Sequence, residues 1–275
     1  MQIWQAAVLG VVEGLTEFLP VSSTGHLTIA EKVLGLKIDD VAVTGFTAVI
    51  QVGAIFAAVI YFIKDIWRIV KGFALGLFST AHRGFDYRFG WYVIAGSVPI
   101  AVVGFLAKDV IKGPLRSLWV VAAALILWSA VMVFAEKAGG QTRTEQDTKL
   151  ADAIVIGVAQ CAALVPGVSR SGATISFGLL RDLDRVTATR LSFFMGIPAL
   201  LGGAALELKD ALSGTTVGVP ALAVGTAVSF VVGYASIAWL LRFVAKHGLI
   251  SFVVYRVLAG LALLVVLGTS ALSAT

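Results

Sequence analysis

Six stretches of the chain, 41–63, 90–107, 117–135, 191–208, 218–241 and 250–268, run apolar almost without interruption. A helix needs about 20 mostly apolar residues to cross a bilayer, so each stretch predicts a spanning helix. Trp and Tyr gather near their ends (Tyr61, Trp67, Trp91, Trp119 and Trp239), as at the headgroup level of a membrane. Two further regions, 3–36 and 151–181, are apolar but broken by Pro, Gly and Ser clusters, "LPVSSTGHL" in the first and "VPGVSRSGATIS" in the second. The apolar pieces on either side of each break are roughly 10 to 16 residues long, too short to cross. Each region therefore predicts a re-entrant hairpin of two half-helices that enters and returns on one side. Irregular backbone at that depth survives only where protein or a water-filled cavity surrounds it.

The two broken regions match each other. With residue 10 placed on residue 157, Gly10, Val11, Val21, Ser22 and Gly25 meet Gly157, Val158, Val168, Ser169 and Gly172, while Glu13 meets Gln160 and Thr24 meets Ser171. A fainter match pairs Gly96 and Gly104 with Gly225 and Gly233. Three spans separate the hairpins, and three is odd, so the second hairpin enters from the opposite face and the halves become inverted repeats. The expected architecture is an all-α polytopic membrane protein with six spanning helices and two re-entrant helical hairpins. It forms one integral membrane domain over 1–275, with repeat 1 at about 1–135 (hairpin 3–36) and repeat 2 at about 150–270 (hairpin 151–181). Loops 64–89, 136–149, 181–190 and 242–249 share one face and hold 13 Lys and Arg; loops 31–40, 108–116 and 209–217 hold six. The positive-inside rule places the first set in the cytoplasm, with both termini and the mouth of the first hairpin outside. Pro99, Pro198 and Pro220 are expected to kink their spans.

Composition agrees with this picture. Of 275 residues, 59% are hydrophobic and only 13% charged, where a soluble domain carries roughly 25% charged residues. The opening MQIWQAAVLG has no basic leader and does not read as a removable signal peptide. A lone cysteine, Cys161, excludes an internal disulfide framework and a Cys-based zinc site. The net charge of +5 suits basic loops beside a lipid bilayer, and no basic patch interleaved with aromatics points to nucleic acid.

Chemistry concentrates at the two breaks. Glu13 and Glu17 are four residues apart and share a helix face. Acidic residues inside membrane segments usually mark function, and two close carboxylates at low dielectric need a shared proton or a cation. An all-oxygen pair suits a hard divalent cation, Mg²⁺ or Ca²⁺. The hydroxyls of "PVSSTGHL" and "PGVSRSGATIS" each stand at a helix start, where Ser and Thr cap backbone N–H groups. Capping does not explain Arg170, since an arginine at membrane depth wants an anion. Two helix N-termini and a guanidinium fork aimed at one point would hold phosphate or diphosphate. His26, one turn past Ser23, is a candidate catalyst. His82 and His247 lie among loop basics and read as solvated. Arg256, near a helix start, is expected to snorkel to the cytoplasmic surface.

At these residues the chain resembles a known family. "EGLTEFLPVSSTGHL" with "PGVSRSGAT" is closely similar to the undecaprenyl-diphosphate phosphatase family of bacteria, the bacitracin-resistance type, and the resemblance covers nearly the whole chain. The Glu-x-x-x-Glu motif of that family falls on Glu13 and Glu17, its Ser and His residues on Ser22, Ser23 and His26, and its Pro-Gly-x-Ser-Arg-Ser motif on Pro166 through Ser171, followed by Thr174. The resemblance implies hydrolysis of the C55 isoprenoid diphosphate to the monophosphate with divalent-cation dependence. It also implies a bacterial plasma-membrane location and a role in recycling the lipid carrier for peptidoglycan, hence bacitracin resistance. On this reading Arg170, Ser22, Thr24, Gly167, Ser169, Ser171 and Thr174 bind the long-chain isoprenyl diphosphate, and Glu13 and Glu17 hold the cation. Ser23 attacks the terminal phosphorus with His26, oriented by Glu17, as base. His26 as nucleophile, or a water activated by His26, stays open at this point. So do a lipid-phosphate flippase using the same clamp, a membrane scaffold, and the choice between monomer and homodimer.

Overall fold

The computed structural model describes residues 1–37, 40–107, 110–111, 115, 117–212 and 217–269, with the side chains of 206–212 left aside. Among these the chain is helical, and its only extended pairing is an isolated bridge between Arg143 and Leu183. The broken regions form paired short helices: α1 (Ile3–Thr16) and α2 (Ser23–Val33) in the first, α7 (Leu150–Gln160) and α8 (Arg170–Leu180) in the second. At 1.5 Å per residue the longest of these, α1, reaches only about 21 Å. Six helices are long and apolar enough to cross a membrane: α3 (Val41–Tyr61), α5 (Phe85–Leu106), α6 (Leu118–Ala138), α9 (Arg185–Leu212), α10 (Val219–Val244) and α11 (Ile250–Gly268). Asp40 caps α3 through the Ala42 N–H at 2.8 Å, and Ser117 caps α6 through that of Trp119 at 3.3 Å. Pro99 and Pro198 lie inside their helices, whereas Pro220 occupies the first turn of α10. There its missing N–H costs no helical bond, so the expected kink at Pro220 gives way to a helix start.

The segment 64–89, read from sequence as a loop, contains a further helix, α4 (Ile63–Phe78). One stripe of α4, Ile63, Trp67, Val70 and Leu77, is exposed, while Ile69 and Gly76 are buried. α4 packs on the first turns of α5, with Phe73 stacked on Tyr87 and edge-on to Trp91. An apolar stripe flanked by the exposed Lys64 and Lys71 suits the headgroup boundary.

The two halves interlock. α1 packs on α10, α7 on α5, α3 on α9 and α10, and α6 on α11. Small residues permit the closest approaches. A Cβ at Gly10 would lie 2.5 Å from the Gly225 carbonyl oxygen, and one at Gly157 would lie 2.4 Å from that of Gly96. Gly10 and Gly157 are counterparts in the internal match, as are Gly225 and Gly96, so each broken region docks on the other half through the same pair of positions. Phe18 of the first break reaches the aromatic core edge-on to Phe193 at 5.5 Å. At the ends of the spans Arg190 lies over the rings of Phe62 and Phe194 and pairs with Asp65 and Glu145, while Arg143 and Arg181 enclose the fully buried Asp152. These loop basics are structural ties as well as solvated charges.

Substituting Gly10→Ala or Gly157→Ala drives a methyl into backbone, and overpacking of this kind costs about 1–3 kcal/mol. Both variants are expected to lower the melting temperature of the detergent-solubilised protein to a similar extent. Gly202→Ala, whose Cβ meets nothing within 4 Å, is expected to leave it unchanged or raised.

Candidate functional site

The two breaks meet. Ser22 and Ser169, counterparts in the internal match, hold the same rare backbone conformation, with φ of +80° and +77°. Each caps the helix that follows it: the Gly25 N–H donates to Ser22 Oγ at 3.4 Å and the Gly172 N–H to Ser169 Oγ at 3.1 Å. Non-glycine residues rarely adopt positive φ, and such strain persists only where surrounding contacts enforce it. Here the enforcing contacts run between the breaks. Ser22 Oγ also accepts from the Gly167 N–H at 3.1 Å, and Ser171 Oγ donates to the Leu19 carbonyl at 2.9 Å.

Arg170, the first residue of α8, turns its guanidinium to the first break. Nη2 lies 3.3 Å from Glu17 Oε1 and Nη1 donates to the Ser192 carbonyl at 3.0 Å, while Nε has no partner among the described residues. The guanidinium fits only because residue 196 is glycine, since a Cβ there would stand 1.7 Å from Nη1. Glu17, 5% exposed, accepts from Ser23 Oγ at 2.7 Å through its other oxygen. One carboxylate is thus shared by a guanidinium and a serine hydroxyl. Glu13, one turn earlier, is also buried. His26 faces elsewhere: Nδ1 is 2.7 Å from the Ser22 carbonyl oxygen and Nε2 is 2.7 Å from the Tyr255 hydroxyl. The contact expected between Glu17 and His26 is replaced by a direct one between Glu17 and Ser23.

The remaining hydroxyls divide by exposure. Thr174 is fully buried and binds the Arg170 carbonyl at 2.8 Å and Ser192 Oγ at 2.6 Å, and Ser171 is equally buried. Ser22, Ser169, Ser171 and Thr174 tie the helix starts together, whereas Ser23 is half-buried and Thr24 exposed. Arg256 corrects the expectation of a snorkelling side chain. It is the largest fully buried residue of the described chain, at 0% exposure. Its Nη1 donates to the Pro20 carbonyl at 3.1 Å and Nη2 to that of Gly167 at 2.8 Å, one from each break, while Nε reaches Ser129 Oγ at 3.2 Å.

A family model described as "Bacitracin resistance protein BacA" matches residues 6–262. The chain belongs to this family. The undecaprenyl-diphosphatase 1 of Streptomyces coelicolor is 60% identical over 274 residues, which cover 99% of this chain and 98% of that protein. That of Streptomyces avermitilis is 58% identical over 275 residues, 99% of each. The undecaprenyl-diphosphatase of Mycolicibacterium smegmatis is 49% identical over 274 residues, 98% of each.

In this BacA-family chain no three His, Cys, Asp or Glu side chains gather as a metal cage among the described residues. Both oxygens of Glu17 are engaged, by Arg170 and Ser23. The buried carboxylates Glu13 and Glu17 are the oxygen donors that a hard divalent cation would use. Sequence reasoning missed Tyr255 and misplaced Arg256. The available signal was a charged residue in the run "SFVVYRVLAGLALLVV", inside a predicted span.

Proposed function

We propose that the chain hydrolyses undecaprenyl diphosphate to undecaprenyl phosphate and phosphate, recycling the lipid carrier of envelope polymers and conferring bacitracin resistance. The observation that carries the reading is the 2.7 Å contact of Ser23 Oγ with Glu17, beside the Arg170 guanidinium. The names of the relatives support it. Ser23 Oγ attacks the terminal phosphorus as its proton passes to Glu17 Oε2, the group within hydrogen-bond reach. The Oγ–P bond forms as the bridging O–P bond breaks, and undecaprenyl phosphate leaves. Water then cleaves the phosphoserine, releasing phosphate and returning the proton to Oγ. Arg170, with its unmatched Nε–H, and the start of α2 supply positive charge where phosphoryl oxygens sit. Glu13 and Glu17 would hold a divalent cation, which would supply further neutralisation of phosphoryl oxygens. A lipid-phosphate carrier needs the clamp alone, and a carboxylate polarising Ser23 has no use in it.

The arrangement of the halves belongs to the same proposal. Matching contacts at Gly10 and Gly157, and matching φ at Ser22 and Ser169, support two inverted repeats whose re-entrant hairpins meet within the membrane. The 13 basic residues on one set of loops against six on the other support an outward-facing mouth.

Purified wild type is expected to release phosphate from a long-chain isoprenyl diphosphate, with EDTA suppressing release. Glu17→Gln and Ser23→Ala should each lower kcat by about 10²- to 10⁴-fold, and Arg170→Ala should raise KM as well. Well-folded wild type that binds the lipid saturably but releases nothing with added Mg²⁺ or Ca²⁺ would transfer the assignment to a carrier. For orientation, Thr24→Cys in a Cys161→Ala background is expected to react with an impermeant thiol reagent added outside the cell. Reaction only in inside-out vesicles would reverse the topology.

A further inference from the structure

His26 is held through both ring nitrogens. The Ser22 carbonyl 2.7 Å from Nδ1 can only accept, so Nδ1 carries a proton in either charge state of the ring. In the neutral ring Nε2 is therefore the accepting nitrogen, and the Tyr255 hydroxyl 2.7 Å away is its donor. The two rings also stack, with centroids 5.6 Å apart and planes 16° from parallel. Tyr255 comes from α11, 229 residues along the chain. Its placement there is not left to a mobile side chain. The next residue, Arg256, is locked to Pro20, Gly167, Ala124 and Ser129, which fixes the rotation of α11 against both breaks. Tyr255 is 47% exposed, whereas Arg256 beside it is fully buried.

We propose that Tyr255 is a positioning residue for His26: the Ser22 carbonyl sets the Nδ1–H tautomer, and the Tyr255 hydroxyl, donating to Nε2, holds the ring in one orientation with Nε2 as its basic nitrogen. This rests on the phosphatase reading above and adds to it a division of labour. Glu17 serves Ser23, while Nε2 of His26, engaged by the phenol instead of by Ser23 or Glu17, is kept for a proton of water or of the phosphate. When substrate enters, the phenol yields Nε2 to it. Two adjacent residues of the last span thus act together, Arg256 as the anchor and Tyr255 as the guide.

Tyr255→Phe keeps the ring and its stacking and removes only the hydroxyl, and the exposed position makes loss of folding unexpected. The chain has three histidines, so ¹⁵N-histidine labelling in a His82→Gln, His247→Gln background isolates the His26 signals. In wild type these should report a single Nδ1–H tautomer. In Tyr255→Phe the Nδ1–H tautomer should persist while the Nε2 signal moves on loss of its donor, with kcat about tenfold lower or more, KM little changed and the melting temperature retained. Unchanged ¹⁵N shifts and unchanged kcat in a folded Tyr255→Phe would overturn the proposal. If wild type releases no phosphate but the shifts still move, the positioning stands and the phosphatase reading fails. Tyr255→Leu, which also removes the ring, separates stacking from hydrogen bonding: it is expected to share the Nε2 shift and to lose thermal stability besides, and wild-type shifts in it would equally overturn the role.

Discussion

The contact on which the rest of the structure depends is the burial of one guanidinium. Arg256 sits at 0% exposure with no carboxylate within 4 Å among the described residues, and taking such an ion out of water costs several kcal/mol. Four oxygens offset that cost, and two of them, the carbonyls of Pro20 and Gly167, belong to the two helix breaks. The breaks are thereby drawn to a single point, where Ser22 and Gly167 bond each other directly. Of the 21 Lys and Arg residues, all but Arg170 and Arg256 fall in the loop segments between the hydrophobic stretches. Both exceptions lie at this meeting point.

Positive charge held there in a low-dielectric surround has a chemical consequence. Arg170 is answered by Glu17, and among the described residues Arg256 is met by four neutral oxygens. Two helix starts add their N–H groups, each begun by a serine at positive φ, Ser22 tied directly to Gly167 of the other break and Ser169 beside Ser171, which is tied to Leu19. A diphosphate headgroup satisfies this arrangement, and the apolar helices around it suit an isoprenoid tail. Within it Ser23 is the hydroxyl that is both accessible and polarised, because Ser22, Ser169, Ser171 and Thr174 are turned inward as ties. Neighbours in sequence divide the work, Ser22 as cap and, in the proposed mechanism, Ser23 as nucleophile.

Much of this was legible in the sequence because it is local. The six spans follow from apolar length, the breaks from Pro, Gly and Ser clusters, and Glu17, Ser23 and Arg170 from polar residues that a membrane segment does not carry without cause. What was not legible involves contacts across the chain. Arg256 meets Pro20 across 236 residues and Tyr255 meets His26 across 229, and no periodicity encodes either. Proximity in sequence suggested that Glu17 orients His26, yet the turn at Ser22 points Ser23 at Glu17 and His26 toward α11. The helix α4 was hidden because the amphipathic segment Ile63–Phe78, broken by Lys64, Asp65, Arg68 and Lys71, is not a full apolar span.

The central claim is that Ser23, polarised by Glu17, forms a covalent bond to the transferred phosphorus. Rapid-quench trapping with ³²P-labelled isoprenyl diphosphate, followed by peptide mapping of the protein, tests it most directly. The account predicts a transient phosphoserine at Ser23 that forms no slower than product is released and is absent in Ser23→Ala. Label on His26, or undiminished turnover with no adduct at any quench time, would contradict it.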